Sequence, residues 1–145
     1  MTIRDAQDTL VQARARRHAH CWVCNPSNGR GLAVEFIQTS AGVVEGCFAC
    51  DEAYAGYRGY LHGGVVSSLL DGAMTNCLLA RGCVAVTAEL RVRFRLPVAT
   101  GRPAMVRAWL DRSRRQVHIL GAELRQGGEV HATAVGKFMR HPQGE

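Results

Sequence analysis

Asp71 stands in company that does not suit it. The stretch 59–81 reads GYLHGGVVSSLLDGAMTNCLLAR, so this acidic residue lies among Leu69, Leu70, Ala73, Met74 and Leu78. A carboxylate is excluded from such surroundings unless a partner pairs with it or chemistry uses it. It is either a paired structural residue or a catalytic group. Eight residues earlier, His62-Gly63-Gly64 offers a side chain and unencumbered backbone N–H groups. If a helix begins there, those groups sit at the positive end of its dipole, where negative charge is favoured.

The elements that must position these residues follow from the hydrophobic pattern. Val66, Leu69, Leu70, Ala73, Cys77 and Ala80 keep the i, i+3, i+4 spacing of a helix laid on a core, and Arg81-Gly82 supplies its stop. Residues 3–20 form a weaker amphipathic pattern through Ile3, Ala6, Leu10 and Ala13, which predicts a short N-terminal helix. Turn formers in Asn25-Pro26-Ser27-Asn28-Gly29 make 21–30 a loop. Alternation predicts a hairpin of strands over 31–39 and 43–50. The segment 51–60, with Tyr54, Tyr57 and Tyr60 among glycines, reads as a loop that shapes a pocket at the helix start.

Beyond the helix, four strands are expected over 84–94, 104–110, 116–125 and 129–139. In the first of them Val86, Ala88, Leu90, Val92 and Phe94 fall on one side, with Thr87, Glu89, Arg91, Arg93 and Arg95 on the other. The resulting class is α+β, an antiparallel sheet of five to six strands curled around one long apolar helix in a single domain, 1–145. Such a sheet leaves an edge to protect, which predicts a homo-oligomer. The tail 141–145 is expected to be disordered.

Composition excludes several classes. With 47% apolar and 21% charged residues, and no apolar run long enough to span a bilayer, the chain reads as a soluble globule. The first residues lack the apolar centre of a signal peptide, so a cytoplasmic location is expected. The net charge of +6 gathers in Arg14/16/17, Arg91/93/95 and Arg112/114/115, which are a solvated surface or contacts to the phosphates of a nucleotide-bearing ligand.

Six cysteines without an export signal read as thiols. Cys21-x-x-Cys24 and Cys47-x-x-Cys50 nevertheless have a separation near that of zinc ribbons, with His18 and His20 beside the first pair. The second pair lies in an expected strand, where residues i and i+3 face opposite ways, so the reading adopted is free thiols and no metal.

The chain also resembles the hotdog-fold acyl-CoA thioesterases of the phenylacetate-pathway type. The resemblance is carried by His62-Gly63-Gly64 followed by Leu69-Leu70-Asp71, by Thr87-Ala88-Glu89-Leu90-Arg91-Val92-Arg93-Phe94 with Pro97, and less specifically by 21–32. It implies a sheet wrapped around a helix, dimers or dimers of dimers that join sheets, and active sites using both subunits. It implies Asp71 as base or nucleophile, Gly63 N–H as the donor to the thioester carbonyl, and supporting roles for His62 and Thr87. Gly64, Tyr57, Arg91 and Arg93 are then candidates for substrate binding. No cofactor is implied, coenzyme A being part of the substrate, and neither nucleic acid nor membrane is an expected partner. Gly56 departs from the family pattern, which carries an amide side chain about six residues before the histidine. Two other readings remain: a non-catalytic acyl-CoA-binding module, and a zinc-ribbon nucleic-acid binder suggested by the paired C-x-x-C motifs and the positive charge.

Overall fold

The computed structural model describes residues 1–141. Helix α1 (Ile3–Arg17) opens with a capping box, in which the Thr2 hydroxyl accepts the Asp5 N–H and the Asp5 carboxylate accepts the Thr2 N–H, each at 3.0 Å. Strands β1 (Ile37–Ser40) and β2 (Val43–Phe48) follow, then a short 3₁₀ turn (Glu52–Tyr54) and the central helix α2 (Gly63–Leu79). Strands β3 (Ala85–Phe94), β4 (Ala104–Arg114), β5 (Val117–Gln126) and β6 (Glu129–Arg140) complete the chain. Of the tail expected from residue 141 on, residues 142–145 lie outside the described residues. Among the described residues, no helix is long and apolar enough to cross a membrane.

All six strands join one antiparallel sheet in the order β1-β2-β4-β5-β6-β3. Helix α2 lies across its inner face and touches every strand from β2 to β6. Leu69, Leu70, Ala73, Met74 and Leu78 are fully buried there against Val44, Val106, Leu120, Leu124 and Phe138. The helix ends at Gly82, whose φ of +74° admits the 6→1 bond from Cys83 N–H to Leu78 O at 3.0 Å. This is the hotdog arrangement, and the fold class read from the sequence holds.

The two edges of the sheet are treated differently. Helix α1 covers β1, with Gln7 Oε1 accepting the Gln38 N–H at 2.7 Å and Arg14 donating to Phe36 O at 2.9 Å. The other edge is β3, ten residues long, with Val86 and Phe94 about half exposed. An open edge of that length invites another strand.

Three expectations need correction. Residues 31–36 alternate in burial, with Leu32, Val34 and Phe36 inside, yet form no ladder. Their N–H groups instead bond back to the loop, Leu32 to Trp22 O and Val34 to Val23 O, and Ala33 takes a φ of +51°. The arginine-rich segment 111–115 is not a loop, because β4 runs to Arg114 and a two-residue turn suffices, with Arg115 at φ +58°. In β3 a bulge at Ala88 breaks the alternation. Thr87 pairs with the buried Phe138, whereas Glu89 pairs with Lys137 and Leu90 with Gly136. Thr87, Leu90, Val92 and Phe94 therefore share the inner face, and Val86 turns outward with Met139.

Candidate active site

At the start of α2 the four N–H groups that a helix leaves unpaired are nearly all used. His62 is the N-cap, with φ −60° and ψ 136°, and its Nδ1 accepts the Gly64 N–H at 2.8 Å. Val65 and Val66 donate to His62 O at 2.9 and 3.2 Å. The Gly63 N–H finds no acceptor among the described residues, so the two bare amides expected from the sequence narrow to one. The positive end of α2 is thereby focused on a single donor.

Gly63 lines an open, mainly apolar depression of about 760 Å³, walled by Tyr57, Tyr60, Val66, Phe94, Leu96 and Val98. A β-carbon built on Gly63 would meet the Phe94 ring at 3.6 Å, an ordinary contact, so space is not what requires glycine there. Tyr57 is 87% exposed at the rim. Gly56 is explained by crowding: a β-carbon there would stand 3.2 Å from His62 Cα, pushing on the residue that caps the helix.

Two turns further on, Asp71 is partly buried, and the Thr87 hydroxyl donates to its Oδ1 at 2.6 Å. The Ala88 bulge makes this bond possible, since unbroken alternation would turn Thr87 and Leu90 to opposite faces. Burial pushes the Asp71 carboxyl above its ordinary value of 3.8, and the Thr87 hydrogen bond opposes the rise. The charge on Cys21 adds to it and that on His18 offsets part of it, so the loop after α1 acts electrostatically on this carboxylate.

That loop packs on α2 through Val23, which lies so close to Gly72 that a β-carbon there would be 2.5 Å from Val23 Cγ1. His18, Cys21 and Cys24 converge in it, their ligand atoms all within 4.8 Å of one another. A hydrogen bond between the two thiols holds Cys21 far below the ordinary thiol range and, with burial, pushes Cys24 up. Cys47 and Cys50 do not join them: Cys47 is exposed on β2, while Cys50 is buried beside Gln126. The four-cysteine ribbon considered from spacing alone is not formed, and the nucleic-acid reading loses one of the two features that suggested it, the net charge of +6 being the other.

The structure thus brings Thr87 to Asp71 and His62 to Gly64, and sets Tyr57 around the same depression as Gly63. It does not bring Arg91 and Arg93 to these groups. Both lie on the outer face of β3, paired with Val135 and Thr133, and the Arg91 side chain is 81% exposed beside Glu89. Sequence reasoning missed Phe94 as a wall of the depression and the nearness of the Cys21 loop to Asp71. The first was legible in the inward alternation of β3; nothing in the sequence announced the second.

The family model for the thioesterase superfamily matches residues 58–132. No curated protein matches the chain. Among solved structures, a thioesterase superfamily protein is 26% identical with a TM-score of 0.79, the match covering 83% of this chain but only 63% of that one. The E. coli PaaI protein from the phenylacetic acid degradation operon has a TM-score of 0.79 at 18% identity, over 94% of this chain and 96% of its own. A Streptococcus mutans UA159 protein bound to acetyl CoA has a TM-score of 0.70 at 16% identity, over 74% of this chain and 88% of its own.

Proposed function

The chain belongs to the thioesterase superfamily, and from that premise we propose that it hydrolyses the thioester of an acyl- or aryl-CoA to the free acid and CoA. The observation that carries the reading is the pair of groups on α2: one N–H without an acceptor among the described residues, beside an apolar depression, and a partly buried carboxylate oriented by Thr87. The thioester carbonyl oxygen accepts the Gly63 N–H, and the helix dipole stabilises the charge that grows there. Asp71 acts on the carbonyl carbon, either as base toward water or as nucleophile. In the base route Asp71 takes the proton as water adds, the tetrahedral intermediate expels the sulfur, and the proton passes to the departing thiolate.

One chain does not hold both groups around one ester. Eight residues of helix separate Gly63 from Asp71 by about 12 Å, whereas each must come within about 3 Å of the reacting atoms. Two copies joined through their β3 edges resolve this, with Gly63 of one facing Asp71 of the other. The open β3 edge, in contrast to the α1-covered β1 edge, supports that assembly. The depression at Tyr57, Tyr60 and Phe94 then receives the acyl or aryl group. Arg91 and Arg93 meet the CoA phosphates only if the nucleotide portion passes over the β3 edge to the outer face of the sheet.

The test is thiol release from short-chain, long-chain and aromatic CoA esters, with the assembly measured in parallel by light scattering. Turnover of at least one class by a dimer or larger oligomer is expected. Tight binding without turnover across the panel would overturn hydrolysis in favour of a binding module, the reading that Gly56 supports.

A further inference from the structure

The proposed reaction makes no direct use of the turn after α1, which several hydrogen bonds hold in place. His18 is the C-cap of α1, so its ring leaves the helix just where the chain turns. Cys21 N–H donates to His18 O at 3.1 Å, Asn25 N–H to Cys21 O at 3.2 Å, and Asn25 Nδ2 to His18 O at 2.8 Å. The residues between the cysteines are pinned from the far side by the bonds from Leu32 and Val34 to Trp22 O and Val23 O. Two thiols and an imidazole are thereby held together at a tight turn.

We propose that His18, Cys21 and Cys24 form a binding site for one zinc ion, which clamps the turn and α1 onto the middle of α2. Their ligand atoms lie within 4.8 Å of one another, and His18 Nδ1 stands 3.6 Å from Cys24 Sγ. Zinc bonds of about 2.3 Å to sulfur and 2.0–2.1 Å to nitrogen, at a tetrahedral angle, place those two atoms about 3.6 Å apart. Two thiolates and an imidazole select zinc over magnesium or calcium, which take oxygen ligands. The thiols bind as thiolates, releasing their remaining protons to solvent.

The three protein ligands leave a fourth tetrahedral position, open to a water. Access is provided by a surface groove of about 440 Å³ along Arg14, Cys24, Asn25 and Glu35. The Cys47–Cys50 pair is the internal control, having the same spacing but no histidine or other third ligand beside it among the described residues, Cys47 lying exposed on β2 and Cys50 buried past its end.

The full chain, reduced and stripped of metal, is titrated with Co²⁺ and then Zn²⁺. The expected result is one ion per chain, a cobalt complex with thiolate-to-metal charge-transfer absorption and tetrahedral visible bands, bleaching by equimolar zinc, and a rise in Tm with zinc. Cys21→Ser and Cys24→Ser abolish both signals, whereas a Cys47→Ser, Cys50→Ser double variant keeps them. His18→Gln, at a partly exposed position, supplies the same readout should a cysteine variant fail to fold. The proposal is overturned if the reduced protein takes up no stoichiometric metal, if the cobalt spectrum lacks thiolate bands, or if the complex survives loss of Cys21 or Cys24. A Cys21–Cys24 pair that, once reduced, only re-forms a disulfide and takes up no zinc overturns it equally.

Discussion

At its first turn α2 leaves one N–H without an acceptor among the described residues, beside an open apolar depression, whereas two turns on it carries a carboxylate that is half-buried and already hydrogen-bonded. In the proposed reaction the first position takes a substrate oxygen, because His62 satisfies the neighbouring amides and the Gly63 N–H has no acceptor among the described residues. The second is ready for a reaction because burial raises the carboxyl's proton affinity while Thr87 fixes its direction. One end works by a group left unpaired, the other by a group held in place. In the proposed reaction this contrast divides the two functions along one helix, and about 12 Å of helix between them calls for a second copy.

The largest effect is expected at the held group. Asp71→Asn keeps the shape and the Thr87 bond but removes the charge, and kcat/KM should fall about 10²–10⁴-fold. The same variant should not lose stability near neutral pH. A carboxyl whose folded pKa is raised costs nothing below the ordinary 3.8 and its full penalty once pH exceeds the folded value, so the amide removes a cost. A thermal melt at pH 7 with Tm unchanged or higher checks this. Next comes Gly63→Pro, which deletes the free donor alone. Proline suits the first helical position, His62 already has the extended ψ that a following proline requires, and the site has room for a side chain. Turnover should fall about 10²–10³-fold with near-native circular dichroism.

Thr87→Val sharpens the comparison by loosening the held group without discharging it. Loss of one hydrogen bond to a charged carboxylate should cost roughly tenfold in kcat/KM. Because that bond favours the ionised form, the acid limb of the pH–rate profile should also move to higher pH, which a purely structural role would not produce. The smallest effect belongs to His62→Ala. The capping bond to Gly64 disappears, stability should fall by about 1 kcal/mol, and Tm should drop a few degrees.

How far the sequence showed this site depended on how local each cause was. The helix start was legible because a cap, two glycines and an apolar period all lie within a few residues. Asp71 stood out because a charge in an apolar run has few explanations. Thr87 was named through a family resemblance, but plain alternation put it on the wrong face, since Ala88 carries no mark of a bulge that only pairing with β6 reveals. The two C-x-x-C motifs teach the same lesson. Their spacing is identical, yet one closes a turn around His18 and the other runs out along β2 and past its end, so backbone conformation decides what the sulfurs can do. Residues 31–36 alternate because alternate residues are buried, which is only half of what a strand requires.

The central claim, that Gly63 and Asp71 act on one ester from two different copies, is tested most directly by mixed dimers. Asp71→Asn and Gly63→Pro chains carrying different tags are co-expressed, and the mixed species is isolated by two-step affinity purification. Each parent homodimer lacks a required group at both sites. The mixed dimer has one site with both groups intact and one with neither, so it should regain about half of the wild-type activity per dimer. Activity no higher than that of the parent variants, in a mixed dimer of correct mass, would contradict the account.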